Sequence, residues 1–285
     1  MSNLNHNKTT INNNQSQGIT PFYTNDNEDY YDDSYFNEEK RVKMLKAWSF
    51  SRLTLYEGCP YKAKLQYIDK IEELPRELQP GQTEFANDRG SRIHAAAEQY
   101  VKGETDELAA ELLHFKPELE TLKELHPDAV TTEEMWCFTE DWAACAPDDY
   151  DNIWLRVIAD AFVWLSDTEV TIVDYKTGKR YGNELKHGQQ MTLYALATAM
   201  KYPQVETIHT ELWYLDLNEL ASQTYRAHQA LAFAKNFNDR ALRLTSDTEF
   251  KPKPSKSSCM FCPYGKKEHS NKWVKKTGDC EHSVG

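Results

Sequence analysis

The stretch Val170 to Lys179, VTIVDYKTGK, constrains the fold of this chain more than any other. Val170, Ile172 and Val173 favour a strand, and a strand sends alternate side chains to opposite faces, so Asp174 and Lys176 project together from its end. Thr177-Gly178 then turns the chain away, leaving a carboxylate and an ammonium at a mouth that a ligand can reach. An isolated Asp-x-Lys at a strand end is usually a solvated salt bridge. What surrounds the pair decides its meaning.

Just upstream, IWLRVIADAFVWL reads as strand, with β-branched and aromatic residues around one acid, Asp160. A carboxylate in such a setting is costly unless it is paired, hydrogen-bonded or bound to metal. Ser166-Asp167-Thr168 turns the chain into the Asp174 strand, and a hairpin of this length brings Asp160 beside Asp174. Two acids with a lysine two residues beyond the second point to a divalent-cation site built from hard oxygen ligands. Downstream, HGQQMTLYALATAMKY reads as a helix with Gln190 and Tyr194 one turn apart, and VETIHTELWYLDL as another strand. A helix joining two strands is a βαβ crossover, so the expected class is α/β, a central mixed sheet flanked by helices. A long helix from about Arg226 to Leu244 is expected to close it.

Ahead of this core, FANDRGSRIHAAAEQYVKG reads as an amphipathic helix on which His94 and Glu98, four residues apart, share a face. On those residues alone the pair fits a structural contact as well as a functional one. Glu107 to Leu125 reads as one or two further helices, and residues 130 to 165 as a meander of strands. In SFSRLTLYEGCPYKAKLQYI, Ser51 is the expected cap of a helix that breaks at Gly58-Cys59-Pro60, with a second helix burying Ala63, Tyr67 and Ile68. Residues 1 to 40, rich in Asn, Gln, Ser and acids, read as a disordered tail.

The C-terminal segment FKPKPSKSSCMFCPYGKKEHSNKWVKKTGDC carries a CxxC, Cys259 and Cys262, and then Cys280. Cys59-Pro60-Tyr61 near the start resembles Cys262-Pro263-Tyr264. Four thiolates of this kind suit an iron-sulfur cluster or structural zinc; His269 and His282 are the alternative ligands and favour zinc. The segment has too few apolar residues to fold without such a staple. Cys137 and Cys145 read as ordinary buried thiols. The N-terminus lacks the apolar core of a signal peptide and no apolar run is long enough to span a bilayer, so a reducing cytoplasm is expected, with no membrane partner. A net charge of -12 argues against simple electrostatic nucleic-acid binding. Residues 250 to 285, however, hold eight Lys against three Asp or Glu, a local +5.

Gly90-Ser-Arg-Ile-His94, Asp160, Asp174-Tyr175-Lys176 and Gln190-Met-Thr-Leu-Tyr194 occur in the order GxxxH, D, DxK, QxxxY. That ordered set, over about residues 48 to 280, resembles the RecB-like branch of the PD-(D/E)xK nucleases. The flanking cysteines resemble its iron-sulfur members: the AddB nuclease domain, CRISPR adaptation nucleases and phage exonucleases. Those relatives place the last cysteine a few residues after the CxxC, whereas here seventeen residues intervene. The resemblance implies a single nuclease domain over residues 41 to 285, with its core at 85 to 245 and a [4Fe-4S] or Zn2+ staple formed by residues 48 to 70 and 250 to 285 through Cys59, Cys259, Cys262 and Cys280. It implies that His94, Asp160, Asp174 and the Tyr175 carbonyl hold Mg2+ or Mn2+, with Glu98 supporting His94. Lys176 would act on the attacking water and the phosphate, and Gln190 and Tyr194 would position DNA and the lysine. The implied activity is a DNA exonuclease acting on single strands or ends, in recombination, repair or degradation, phage-encoded or bacterial, with a single-strand-binding or recombination protein as partner and the bacterial or host cytoplasm as its place. CRISPR spacer processing, or an inactive DNA-binding scaffold, are the alternatives.

Overall fold

The computed structural model describes residues 34–37 and 42–285. The tail expected over residues 1 to 40 lies outside the described residues except at β1 (Ser34–Asn37), which is a strand and pairs antiparallel with β2 (Val42–Leu45).

The chain then enters α1 (Phe50–Gly58). Its cap is Ser49 and not the expected Ser51: Ser49 has extended backbone angles and its Oγ accepts from the Arg52 amide at 3.3 Å, while Ser51 is already inside the first turn. Cys59-Pro60 interrupts the helix, and α2 (Pro60–Ala63) runs on through a wide π turn at Lys64–Ile68. The long amphipathic helix is α3 (Ala86–Val101) and the next is α4 (Lys116–Leu125), preceded by a 3-10 turn.

The expected meander divides between two sheets. β3 (Val130–Thr132) belongs to the main sheet, whereas β4 (Met135–Phe138), β5 (Ala144–Cys145) and β6 (Leu155–Ile158) form a small sheet of their own in the order β5-β4-β6. The stretch that reads as one strand through Asp160 is therefore two. The chain leaves β6, bends at Ala159-Asp160, and joins the main sheet as β7 (Ala161–Ser166).

From β7 it turns into β8 (Glu169–Lys176), crosses over through α5 (Glu184–Lys201) and returns parallel as β9 (Thr207–Tyr214). β10 (Glu219–Arg226) pairs antiparallel with β9 and completes the sheet order β10-β9-β8-β7-β3. The single long helix expected at the end is broken into α6 (Ala227–Leu231) and α7 (Ala234–Thr245). A final short helix, α8 (Lys256–Met260), begins the cysteine segment.

Strand alternation gives the main sheet two buried faces. Phe162, Val170, Ile172, Ile208 and Leu212 pack with α5, α1 and α7 on one side. Ala161, Val163, Val173, Tyr175 and Trp213 pack with α3 and α4 on the other. Burial of a side chain as complete as that of Ile172 or Ile208 contributes about 1.5–3 kcal/mol each. The sheet is thereby a rigid platform for the ends of β7 and β8.

The cap is open to test. Ser49→Ala should cost about 1 kcal/mol of stability, whereas Ser51→Ala should cost clearly less, both read from denaturant midpoints. Equal losses would return the cap to Ser51.

Candidate active site

On β8 the residues facing α5 are Val170, Ile172, Asp174 and Lys176, apolar where the strand is covered and charged where it ends. Lys176 Nζ lies 2.6 Å from Asp174 Oδ2 and donates to Gln190 Oε1 on α5 at 2.8 Å. Gln190 Nε2 in turn donates to the Tyr194 hydroxyl at 2.7 Å, which leaves the amide oxygen turned toward the lysine. Asp174 is buried; burial raises its pKa, Lys176 opposes the rise and Asp160 reinforces it, with a net upward shift.

Asp160 meets this strand end from the bend before β7. The register Ala161↔Val173, carried one residue further, sets Asp160 across from Asp174. One carboxylate oxygen accepts from the Tyr175 amide, and the other lies 2.8 Å from His94 Nδ1 on α3. Burial raises its pKa, but the His94 charge and these two hydrogen bonds prevail and hold it below the usual carboxylate range. For His94, burial opposes the charged ring, yet Asp160, Asp174 and Glu133 override it and push the imidazole up to about 9.

Glu133, in the turn between β3 and β4, is the site residue that the sequence reading missed. It takes a left-handed backbone, φ 52°, its amide donates to the Asp160 carbonyl at 3.3 Å, and its Oε1 lies 4.0 Å from His94 Nδ1. Burial, followed by Asp160, raises its pKa to about 8 against the opposing pull of His94. One ligand atom each from His94, Glu133 and Asp160 falls within 4.8 Å of the others, close enough for a single cation. Glu98, expected to support His94, instead closes on Lys102 at 2.5 Å, although its charge is felt by Glu133.

The mouth is shaped by the turn after Lys176. Gly178 has φ +89°, open to glycine and strained for other residues, and its amide donates to Asp216 Oδ2 at 2.6 Å. Asp216 also receives a forked pair from Arg89 at the start of α3, at 3.0 and 2.6 Å. A Cβ on Gly90 would stand 3.4 Å from Thr177 Oγ1, so the helix rests against this turn. Between them lies an open cleft of about 500 Å3, with His94, Tyr175 and Lys176 in its wall.

Away from this cleft, Cys59, Cys259, Cys262 and Cys280 line one cavity of about 240 Å3, together with His282. Seventeen residues separate Cys262 from Cys280, but the chain doubles back. Thr277, Gly278 and Cys280 donate backbone bonds to Pro263, Gly265 and Tyr264 at 2.8, 3.0 and 2.7 Å. His282 sits edge-on to Tyr61, and His269 Nδ1 is 3.2 Å from Ser283 Oγ. Cys137 and Cys145 face each other across β4 and β5, remote from the cavity lining, both free thiols; Cys145 is only half-buried.

A family model for the PD-(D/E)XK nuclease superfamily matches residues 47–266, more than two thirds of the chain. The chain belongs to that superfamily. Among solved structures, SSO0001 is similar at 13% identity, covering 80% of this chain and 87% of its own, with a TM-score of 0.35. An alkaline exonuclease, LHK-Exo, from Laribacter hongkongensis is similar at 12% identity, covering 70% and 93%, with a TM-score of 0.25. No curated protein matches the sequence.

As a PD-(D/E)XK nuclease the chain is a hydrolytic enzyme, and the α/β core with its mixed sheet is the one the sequence led us to expect. The acids and base that crowd the strand ends set the pH response of the metal-free nuclease. His94 and Glu133 both hold protons more tightly folded than unfolded, so at these two sites the folded state carries extra protons between about pH 4.5 and 9. Stability from the His94 pair is complete below the unfolded value of 6.5 and is lost as pH rises through about 9; the Glu133 contribution falls in the same direction between about 4.5 and 8. In chelator, the melting temperature should therefore decline from pH 6 to pH 9, and His94→Ala should flatten the decline. A rising or level profile in the unaltered chain would contradict this charge arrangement.

Proposed function

We propose that this nuclease is a metal-dependent DNA exonuclease that hydrolyses phosphodiester bonds on single strands or DNA ends, in recombination, repair or degradation. The observation that carries the reading is the meeting, at one sheet end, of a His94-Glu133-Asp160 donor set, half-buried at the first two and buried at Asp160, with the Asp174-Lys176-Gln190 chain.

An imidazole and several carboxylates suit Mg2+ or Mn2+. His94, Glu133, Asp160, Asp174 and the Tyr175 carbonyl would hold it. A divalent cation there supplies an activated water and neutralises charge building on the phosphate. The remaining work belongs to the chain. The His94 imidazole would have to be neutral to serve as a ligand, so binding would be coupled to proton release. Gln190, fixed by Tyr194, holds the Lys176 ammonium at the strand end, where it orients the nucleophilic water and meets a phosphate oxygen. Asp174 keeps that ammonium from swinging into solvent. Positive charge extends along the start of α5: burial first, then Lys176 and Lys186, push His187 down to about 4. A strand of DNA entering the cleft would meet that field despite the net acidity of the protein.

The four-cysteine cavity is read as the site of a [4Fe-4S] cluster. Four cysteines with no carboxylate in the cavity lining suit a soft iron-sulfur group. No described helix is long and apolar enough to cross a membrane. The proposed place of action is the cytoplasm.

End-labelled single- and double-stranded DNA with Mg2+ or Mn2+ tests the activity. Asp174→Ala should abolish cleavage with the fold intact by circular dichroism, and so should Asp160→Asn, which keeps an acceptor for the Tyr175 amide. Lys176→Ala should lower kcat about 10²- to 10³-fold while metal binding persists, and Glu133→Gln should weaken metal affinity about 10- to 100-fold. Near-normal cleavage by Asp174→Ala would remove the nuclease reading.

A further inference from the structure

Lys276 is among the most completely buried side chains described, 2 % exposed, and it lies behind the CxxC turn whose cysteines line the cavity. Its Nζ donates to the carbonyls of Cys259 at 2.5 Å, Cys262 at 3.1 Å and, more weakly, Met260 at 3.4 Å. Two of these three acceptors belong to the CxxC cysteines themselves. Among the described residues no carboxylate lies within ion-pair reach of it. Carbonyl dipoles at the end of a short helix attract a cation, but solvated lysines do that commonly without being buried. An ammonium taken out of water with no anion beside it carries a desolvation penalty, as any buried ion does. A nearby negative group would offset that penalty.

The sulfurs are prepared to be that group. Cys59 Sγ accepts from the Lys253 amide at 3.4 Å, and the sulfur-bearing residues Cys259, Cys262 and Cys280 line the same cavity. Cys259 and Cys262, whose carbonyls hold the ammonium, thus turn their sulfurs to the cavity and their backbone to the lysine.

The seat of Lys276 is also shaped for it. A Cβ on Gly265 would come within 3.0 Å of Lys276 Cδ, 3.2 Å of its Nζ and 3.1 Å of Ser283 Oγ. Gly265 has an ordinary backbone, so what its missing side chain leaves is room. That room is filled by the lysine.

We propose that Lys276 is the internal counter-cation of the four-cysteine site, buried there to balance the negative charge of a thiolate-bound metal group. The proposal rests on the reading of the cavity as a metal site. It makes Lys276 a positioning residue of that site with two effects. It clamps the CxxC turn through its carbonyls, and it lowers the charge that the bound group presents to the interior. The second effect raises the reduction potential of a cluster and strengthens retention of any thiolate-bound metal.

The experiment compares unaltered protein, Lys276→Gln, Lys276→Met and Gly265→Ala, all purified anaerobically and checked for fold by circular dichroism. Iron, sulfide and zinc per chain are measured before and after a chelator challenge, and any cluster is titrated for its midpoint potential. Both neutral variants should hold the metal about 10- to 100-fold less tightly, with a more negative midpoint. Gly265→Ala, which keeps every ligand and the charge but crowds its seat, should lose part of the retention. Gln and Met variants that hold metal and potential like the unaltered chain overturn the proposal, as does a loss confined to Met, which would make Lys276 a hydrogen-bond clamp alone. Unaltered protein holding one zinc and no sulfide overturns the cluster while retention of zinc still decides on Lys276. Unaltered protein with no metal overturns the metal reading of the cavity and the proposal with it.

Discussion

The Asp160 carboxylate, held between the His94 imidazole and the Tyr175 amide, is the contact on which the arrangement of this nuclease depends. It joins three elements remote in sequence: α3, the bend that carries the chain from the small sheet into the main one, and the end of β8. A buried carboxylate released from either partner would carry a penalty large enough to reorganise its surroundings. Its two hydrogen bonds therefore fix where the helix lies over the sheet as well as where the site is. The parallel pairing of β8 with β9, and the two apolar faces that cover them, hold the other side of the junction still.

Much of this was legible in the chain because it follows from local periodicity. The alternation in VTIVDYKTGK placed Asp174 and Lys176 on one side, the spacing of Gln190 and Tyr194 put those two one turn apart, and their link to the lysine came from the family resemblance; all four join by hydrogen bond or ion pair. The hairpin turn at Ser166-Asp167-Thr168 set Asp160 opposite Asp174. The family resemblance rested on the same residues, and the match over residues 47–266 agrees with it.

What escaped the sequence is what tertiary contacts decide. Glu133 lies in a tight turn with a left-handed backbone, and its neighbours His94 and Asp160 are tens of residues away, so no local pattern marks it. The one available signal was an acid pair, Glu133-Glu134, between two short strands. Glu98 shared a face with His94 as expected, but Lys102, one turn further along, was the stronger partner. β10 was not foreseen because its exposed positions alternate with half-buried ones at a sheet edge, leaving few apolar residues to show a period. Ser49 rather than Ser51 caps α1 because the chain is still extended there, bonded to Trp154 and Arg156 through Trp48.

The doubled-back loop between Cys262 and Cys280 separates two quantities that a motif search treats as one, distance along the chain and distance in space. Once Pro263, Tyr264 and Gly265 are paired with Thr277, Gly278 and Cys280, the stretch between them is an excursion that bears on the ligands mainly at its end, where Lys276 reaches the CxxC carbonyls. Closing a flexible loop grows costlier only with the logarithm of its length, about 0.6 kcal/mol for each doubling. A longer or shorter excursion would leave the cavity as it is only where Lys276 kept its place against the CxxC carbonyls. A signature written as a fixed count of residues between cysteines would pass over chains of this kind, whereas one written as a pairing of backbones would find them.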